Sequence, residues 1–201
     1  MPYTDRMARW QPNASGRLVV AALDLFEERG YENTTVIEIA ERAGLTKSTF
    51  FRHFPDKREV LFGGGTMTEF VVNGITEAPA TAGPLEAVAH ALDAIGREVF
   101  TLDRREFSAR RQAVIAANPE LREREALKGL GLTASMIDAL KRRGVPDLTS
   151  RVAAELGTLA WEIAYERWID TTNGDEFSEL ARQTLGEVHA ATALLTPMSL
   201  R

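Results

Sequence analysis

The sequence contains no cysteine and only three histidines, at positions 53, 90 and 189. Without cysteine the chain has no disulfide, no thiolate nucleophile and no zinc site built on sulfur. The histidines are too far apart along the chain to form a recognisable metal motif. We therefore expect neither a metal site nor a cofactor.

Long hydrophobic runs are also missing. The first 25 residues carry Asp5, Arg6, Arg9 and Arg17 and lack the apolar core of a signal peptide. No later segment reaches the roughly 18 uninterrupted apolar residues that indicate a membrane span. These absences predict a cytoplasmic protein with no membrane partner.

Positive charge is in deficit, which at first argues against nucleic acid as a partner. The chain holds 24 basic and 29 acidic residues, for a formal net charge of −5. Residues 1–62 hold nine of each, so the remainder holds 15 basic and 20 acidic residues and carries the whole deficit. An anionic partner is therefore expected to meet the N-terminal third of the chain.

Alternating strand patterns are absent, and apolar residues instead recur at spacings of three and four along almost the whole chain. The sequence therefore predicts an all-α fold. After residue 84 the expected helices cover approximately 85–102, 104–117, 119–143, 148–171 and 176–195.

The N-terminal helices are predicted from their capping residues. A first helix over 15–29 is followed by Gly30, which suits a C-terminal cap. Thr35 and Glu38 have the spacing of a capping box, so a second helix is expected to start there and to end at Gly44.

Two further short helices are expected after this turn. Thr46 can cap a third helix of about two turns, and Asp56 with Glu59 indicates the start of a fourth. Three consecutive glycines at 63–65 are expected to break that helix, and residues 75–84 have the composition of a loop. The break is either a hinge that responds to ligand or a simple linker.

Residues 36–61 have the spacing of a helix-turn-helix. The small Ala40 lets two helices cross, Gly44 permits a tight turn, and Phe50 with Phe54 faces a miniature core. A polar and basic cluster is left on the outer side of the third helix: Lys47, Ser48, Thr49, Phe51 and Arg52.

This outer cluster suits the major groove of DNA. Arg52 or Lys47 can reach guanine, a contact worth about 1–3 kcal/mol of base discrimination, and Ser48 reads a base only if the backbone comes close. Side chains suited to phosphate oxygens are Thr35, Thr49, His53 and Lys57. The alternative is a solvated face of a small helical domain. The combined spacing of the glycine, the alanine and the basic residues favours DNA.

Residues 15–62 resemble the N-terminal domain of TetR-family one-component transcriptional regulators, through the stretch ALDLFEERGYENTTVIEIAERAGLTKSTFFRHFPDKREVL. The resemblance implies a dimer with three-helix DNA-binding heads, a larger helical ligand domain, and usually repression relieved by a small molecule. It implies a DNA surface made of Thr35, Thr46, Lys47, Ser48, Thr49, Phe51, Arg52, His53 and Lys57. The family often has tyrosine where this chain has Phe51, so a hydroxyl contact with phosphate is not expected there.

The expected organisation is a flexible arm at 1–14, a helix-turn-helix DNA-binding domain at 15–62, and a helical ligand-binding and dimerisation domain at 63–201. Two heads related by a two-fold axis would read a palindromic operator whose half-sites lie about 34–36 Å apart. The arm carries Arg6, Arg9 and Trp10 and either follows the DNA backbone or remains a free tail.

The C-terminal part carries no catalytic motif: there is no G-x-S-x-G, no H-E-x-x-H and no phosphate-loop lysine. We therefore expect a regulator rather than an enzyme. A helical binding protein or enzyme whose head no longer binds DNA is the alternative. Residues proposed to line an effector pocket are Met67, Phe70, Val71, His90, Phe100, Phe107, Gln112 and Trp161. Taken singly, each of these residues is more often part of a core than of a pocket, but together their apolar character favours a hydrophobic or aromatic effector.

The last two helices are expected to form a homodimer interface. The helix over 148–171 has two apolar sides, of which one consists of Val152, Leu156, Leu159 and Ile163 and the other of Gly157, Ala160, Trp161, Ala164 and Trp168. The last helix offers a matching face of Phe177, Leu180, Ala181, Thr184, Leu185, Val188 and Ala191. Together these faces would make half of a four-helix interface, and a monomeric core is the alternative.

Overall fold

The computed structural model describes residues 14–63, 66–172 and 174–195. The regular secondary structure of these ranges is all helical, with no strand, which confirms the all-α prediction. The nine α-helices of the described residues are α1 (Ala14–Arg29), α2 (Val36–Arg42), α3 (Lys47–His53), α4 (Thr66–Glu77), α5 (Pro84–Glu98), α6 (Arg105–Ala117), α7 (Pro119–Arg142), α8 (Asp147–Ile169) and α9 (Phe177–Ala193). All but the last residue of the predicted N-terminal arm lie outside the described residues. No helix in the described ranges is long and apolar enough to cross a membrane.

The chain folds as two compact units. Among the described residues, the first unit contains 14–63 together with 110–125. The second contains 66–109 together with the described residues from 126 to 195. The change of unit after residue 64 lies beside the predicted domain boundary at 62. The assignment of 110–125 to the first unit is a feature that the sequence did not predict, and it means that α6 and α7 each run from one unit into the other.

The predicted caps at the start of α2 are present. The Thr35 hydroxyl accepts a hydrogen bond from the Glu38 backbone N–H at 3.2 Å, and the Glu38 carboxylate accepts one from the Thr35 backbone N–H at 2.8 Å. Two otherwise unsatisfied donors at the helix start are thereby paired. The capping box fixes where α2 begins.

The predicted fourth helix is wrong in its position. Asp56 accepts a hydrogen bond from the Glu59 N–H at 3.1 Å, as its spacing suggested, but only a short 3₁₀ segment (Arg58–Leu61) follows. Gly63 has a left-handed φ of +62°, which ends the segment, and the next α-helix begins at Thr66.

The predicted loop over 75–84 is wrong in its first three residues, which form the last turn of α4. Ile75 is fully buried in the core of the second unit. Burial of this side chain outweighs the loop-like composition of the residues after it, and the helix therefore continues to Glu77.

Helix α5 packs against α4, α8 and α9 in the second unit. Glycines allow two of these close approaches. A Cβ at Gly74 would lie 2.5 Å from the Cα of Ala91, and a Cβ at Gly157 would lie 2.4 Å from a methyl group of Val88. Both distances are far below van der Waals contact, so these positions require glycine for packing. An aromatic cluster completes this core: Phe100, Trp161, Tyr165, Trp168 and Phe177.

Helix α8 has the two apolar sides that the sequence predicted. The side with Gly157, Ala160, Ala164 and Trp168 is buried in its own unit. On the other side, Val152 and Leu159 remain about half exposed. One apolar stripe of α8 is therefore left uncovered in the single chain.

The face of α9 that was predicted to meet a partner is instead used within the chain. Phe177, Leu180, Ala181, Thr184, Leu185 and Val188 are buried, and of the predicted set only Ala191 is exposed. The prediction is wrong because this apolar face packs against α5 and α8 of the same unit. Small residues on the opposite side of α9, Gly186 and Ala190, are exposed.

Candidate nucleic-acid interface

The turn between α2 and α3 has the geometry that its glycine predicted. Gly44 has a φ of +65°, and the Leu45 N–H donates to the Ala40 carbonyl at 2.8 Å. The Arg17 guanidinium of α1 donates to the carbonyls of Ala43 and Gly44 at the end of α2. This role of Arg17 was not predicted, since no sequence spacing links it to the turn. The arginine fixes the turn against α1.

Helix α3 is anchored by the two phenylalanines predicted to face inward. Phe50 and Phe54 are 0% and 2% exposed, and their ring centroids are 5.6 Å apart. At the start of the helix, the Thr46 hydroxyl accepts from the Thr49 N–H at 3.2 Å and contacts the Thr49 hydroxyl at 3.0 Å. The buried rings and the cap fix which side of α3 faces outward.

The outer side of α3 presents the predicted cluster. Its exposed members are Thr46, Lys47, Ser48, Phe51, Arg52 and His53, and Thr49 is half-buried. Within the part of the chain that the structure describes, neither Lys47 nor Arg52 forms a hydrogen bond or an ion pair. The Lys47 ammonium lies 5.9 Å from the centre of the Phe51 ring. The structure thus brings two unpaired cations and one exposed aromatic ring together on one helix face.

Other basic side chains of the same region are paired within the protein. Arg29 binds Glu38 at 3.0 Å, and Arg42 binds Glu28 through two hydrogen bonds at 2.9 and 2.7 Å. Arg58 likewise binds Asp56 at 3.0 Å, as well as Glu120. Among the described residues from 14 to 63, the two basic side chains without a hydrogen bond or ion pair, Lys47 and Arg52, both lie on α3.

Thr35 and Lys57 were predicted to contact phosphate, but both side chains make hydrogen bonds within the protein. The sequence alone did not show whether these residues act within the protein or on DNA. The Thr35 hydroxyl donates to the Glu38 carboxylate at 2.8 Å. The Lys57 ammonium donates to the carbonyls of Tyr31 and Thr34 at 2.8 and 3.1 Å and lies 4.0 Å from the Tyr31 ring centre. In this structure Lys57 holds the loop between α1 and α2.

The electrostatics around α2 reflect the same contacts. The hydrogen bonds from the Thr35 N–H and hydroxyl, followed by the charge of Arg29, lower the pKa of Glu38. Burial raises the pKa of the Tyr31 phenol, and the neighbouring Glu120 carboxylate raises it further. Both shifts move the pKa further from neutral pH, so neither group is expected to change its charge near pH 7.

The α6–α7 corner, residues 110–125, is joined to the N-terminal helices of the first unit by polar contacts. Arg110 pairs with Asp24 at 2.7 Å and with Glu27. Arg111 donates to the Leu61 carbonyl at 2.6 Å. These contacts show why 110–125 belongs to the unit that carries α3.

The residues proposed for an effector pocket divide between the two units. Gln112 lies in the first unit, where its amide donates to Glu125 at 3.3 Å. The others lie in the second unit, where Val71 and Phe100 are buried in the core and His90 Nδ1 is 2.9 Å from the Gly74 carbonyl oxygen. The partly buried members of the set are Met67, Phe70, Phe107 and Trp161.

A groove in the second unit is lined by residues outside this predicted set. It has a volume of about 410 Å³ and lies between the starts of α5 and α8 and the end of α9. Its apolar lining includes Pro84, Leu85, Val152 and Leu156. The sequence indicated Val152 and Leu156 only as part of a dimer face.

Comparison with known proteins agrees with this geometry. The family model described as "Bacterial regulatory proteins, tetR family" matches residues 18–62, which contain most of α1, all of α2 and α3, and the turn at Gly44. The N-terminal domain of the chain, residues 18–62, belongs to the TetR family. The recognition made from the sequence is thereby confirmed.

Similarity to known proteins continues beyond residue 62. The regulator TcmR of Streptomyces glaucescens is 40% identical over 80 residues, which span 39% of this chain and about a third (35%) of TcmR. The transcriptional repressor Rv3405c of Mycobacterium tuberculosis is 26% identical over 154 residues, 76% of this chain and 73% of that protein. A TetR-family regulator from Mesorhizobium loti has the same fold, with a TM-score of 0.56 and 23% identity over 94% of this chain and 98% of that one.

TcmR and Rv3405c are named as HTH-type transcriptional regulators, a class without enzymatic activity. The prediction of a regulator rather than an enzyme is confirmed. The fold match also agrees with the predicted arrangement of an N-terminal helix-turn-helix followed by a helical C-terminal part.

Proposed function

We propose that this TetR-family chain binds a near-palindromic DNA operator as a homodimer, represses transcription in the cytoplasm, and is released by a hydrophobic or aromatic effector. The observation that carries the DNA part is the pair of unpaired cations, Lys47 and Arg52, on the outer side of an anchored α3. A helix of this size fits the major groove, where a guanidinium can bind guanine O6 and N7. Ser48, Thr46, Thr49 and His53 lie beside them and are proposed to contact phosphate or base edges.

Because the N-terminal third has equal numbers of acidic and basic residues, its tight binding to DNA needs contacts with specific bases. Non-specific DNA binding depends on the number of phosphates that basic residues neutralise. Residues 1–62 hold as many acidic as basic residues, and several of the basic ones are paired internally. Tight binding by such a head therefore requires specific contacts from Arg52 and its neighbours.

Dimerisation is supported by the uncovered apolar stripe of α8. Val152 is 50% exposed and Leu159 is 45% exposed, which is unfavourable for a stripe that faces water. The exposed Gly186 of α9 would allow a partner helix to approach closely. We propose that the exposed sides of α8 and α9, rather than the buried α9 face, form the subunit interface.

The effector proposal is supported by the aromatic cluster of the second unit. The Trp168 indole N–H is buried and has no hydrogen-bond partner among the described residues. An effector with an aromatic or aliphatic body and one hydrogen-bond acceptor would satisfy this donor by opening the packing around Phe100 and Trp161. Repression is favoured over activation because Rv3405c, which matches over most of this chain, is named a repressor.

Selection from random-sequence duplexes by the purified chain tests the DNA proposal. We expect enrichment of one inverted repeat, and light scattering should give twice the monomer mass both free and on that DNA. A protein that enriches no sequence would favour the alternative, a helical binding protein whose head has another use.

A further inference from the structure

Phe51 is an exposed aromatic ring in the middle of the polar face of α3. The side chain is 47% exposed, whereas Phe50 and Phe54 on the same helix are 0% and 2% exposed. Spacings of four and three residues place Phe51 beside Lys47 and Ser48 on the outer side. About half of this apolar side chain therefore faces solvent.

The ring contacts two neighbouring side chains. Its edge contacts the buried Phe50 ring, with centroids 5.6 Å apart and an interplanar angle of 79°. The Lys47 ammonium lies 5.9 Å from its centroid, within range of a weak cation–π interaction. Phe50 is itself fixed in the core, so Phe51 is presented in a defined orientation.

The chemistry of phenylalanine limits what this ring can bind. It has no hydroxyl and cannot hydrogen-bond to a phosphate oxygen or to a base edge. The 5-methyl group of thymine is the apolar group that the major groove offers, and phenylalanine is among the side chains that contact it. An exposed tyrosine at this position could either hydrogen-bond to phosphate or a base edge or pack against the methyl group. Phenylalanine can only pack.

We propose that Phe51 determines specificity by packing on a thymine methyl group in each operator half-site, next to the base contacted by Arg52. The inference rests on the proposed function, because it requires that α3 enter the major groove. Arg52 then supplies recognition of guanine and Phe51 supplies recognition of thymine. The operator half-site is expected to contain both bases close together.

Replacement of single thymines by deoxyuridine tests the inference without changing base pairing. With the enriched operator in hand, each thymine is replaced in turn, in both half-sites together, and the Kd is measured by fluorescence anisotropy. Loss of a buried methyl group should weaken binding about fourfold per half-site, or about 15-fold in all, at one thymine position. Uniform Kd values across all replacements, or an operator without thymine, would overturn the proposal.

Variants then assign the effect to Phe51. The Phe51→Ala protein should bind thymine and deoxyuridine operators equally well, whereas Phe51→Tyr, which keeps the ring, should retain the preference. Arg52→Ala should weaken binding but leave the thymine preference unchanged. A Phe51→Ala protein that keeps the full preference would contradict the assignment. If selection enriches no operator, the DNA-binding function itself fails, a result distinct from an operator that is insensitive to deoxyuridine.

Discussion

The Arg124 guanidinium of α7 forms an ion pair with the carboxylate of Glu59, a residue of the 3₁₀ segment that is only 7% exposed. The two residues are 65 positions apart in the sequence. Together with the pairing of Arg110 to Asp24, this contact explains why the α6–α7 corner belongs to the unit that contains α3.

Loss of this ion pair should destabilise the first unit. In the Arg124→Ala variant, the buried Glu59 carboxylate loses a charged partner, and we expect the free energy of unfolding to fall by about 1–3 kcal/mol. Urea unfolding followed by circular dichroism measures the change. Arg122→Ala, at an exposed position on the same helix, is the control and should stay within about 0.5 kcal/mol of the native value. Equal stability of the two variants would show that the buried pair contributes nothing.

Glycine substitutions in the helices should have opposite effects at different positions. Gly157→Ala and Gly74→Ala force a Cβ to within 2.4 and 2.5 Å of Val88 and Ala91, so each should destabilise the second unit by about 1–3 kcal/mol. Gly129 and Gly131 of α7 have no atom within 4 Å of an added Cβ among the described residues. Alanine at either position should stabilise the helix by up to about 1 kcal/mol. Thermal unfolding of the four variants tests the difference, and destabilisation by all four would contradict it.

Lys57 is expected to contribute mainly to the stability of the protein and less to DNA binding. Lys57→Met keeps the aliphatic stem but removes the hydrogen bonds to the Tyr31 and Thr34 carbonyls, and we expect a loss of about 1–2 kcal/mol in unfolding free energy. Lys47→Met removes an exposed ammonium without such bonds and serves as the matched control. A Lys57→Met protein of native stability that binds all DNA sequences more weakly would instead establish a phosphate contact.

Asp147, in the first turn of α8, should titrate well below its usual range. Hydrogen bonds from Lys141, at 2.7 Å, and from Arg151, at 2.8 Å, lower its pKa from 3.8 to about 2. Because the folded pKa is depressed, the stabilisation is complete above about pH 3.8 and is lost as the pH falls towards 2. A carboxyl NMR titration should give the low midpoint, and Lys141→Ala should raise it towards 3.8. A midpoint near 3.8 in the native protein would contradict the paired geometry.

Local signals in the sequence predicted much of the first unit. Thr35 with Glu38, Thr46 and Gly44 act within a few residues, so their roles follow from spacing alone. The later helices also begin and end close to the predicted ranges, because their apolar periodicity is long enough to define them.

Long-range packing accounts for what the sequence did not predict. Burial of Ile75 extends α4 into an expected loop, and the buried face of α9 packs against its own unit rather than a partner. Lys57 and Gln112 were assigned from residue type, but their partners, such as the Tyr31 carbonyl and Glu125, are fixed by tertiary contacts. A pattern of single residues does not contain that information.

DNA binding by α3 is tested most directly by the anisotropy of the labelled operator with native protein and Arg52→Ala, against scrambled competitor at two salt concentrations. Arg142→Ala, an exposed arginine of the second unit, is the control. We expect the native protein and Arg142→Ala to bind with a competitor-resistant, salt-sensitive affinity, and Arg52→Ala to lose about 1–3 kcal/mol of preference for the operator over scrambled DNA. An Arg52→Ala protein with unchanged preference would contradict the assignment of α3 as the reading helix.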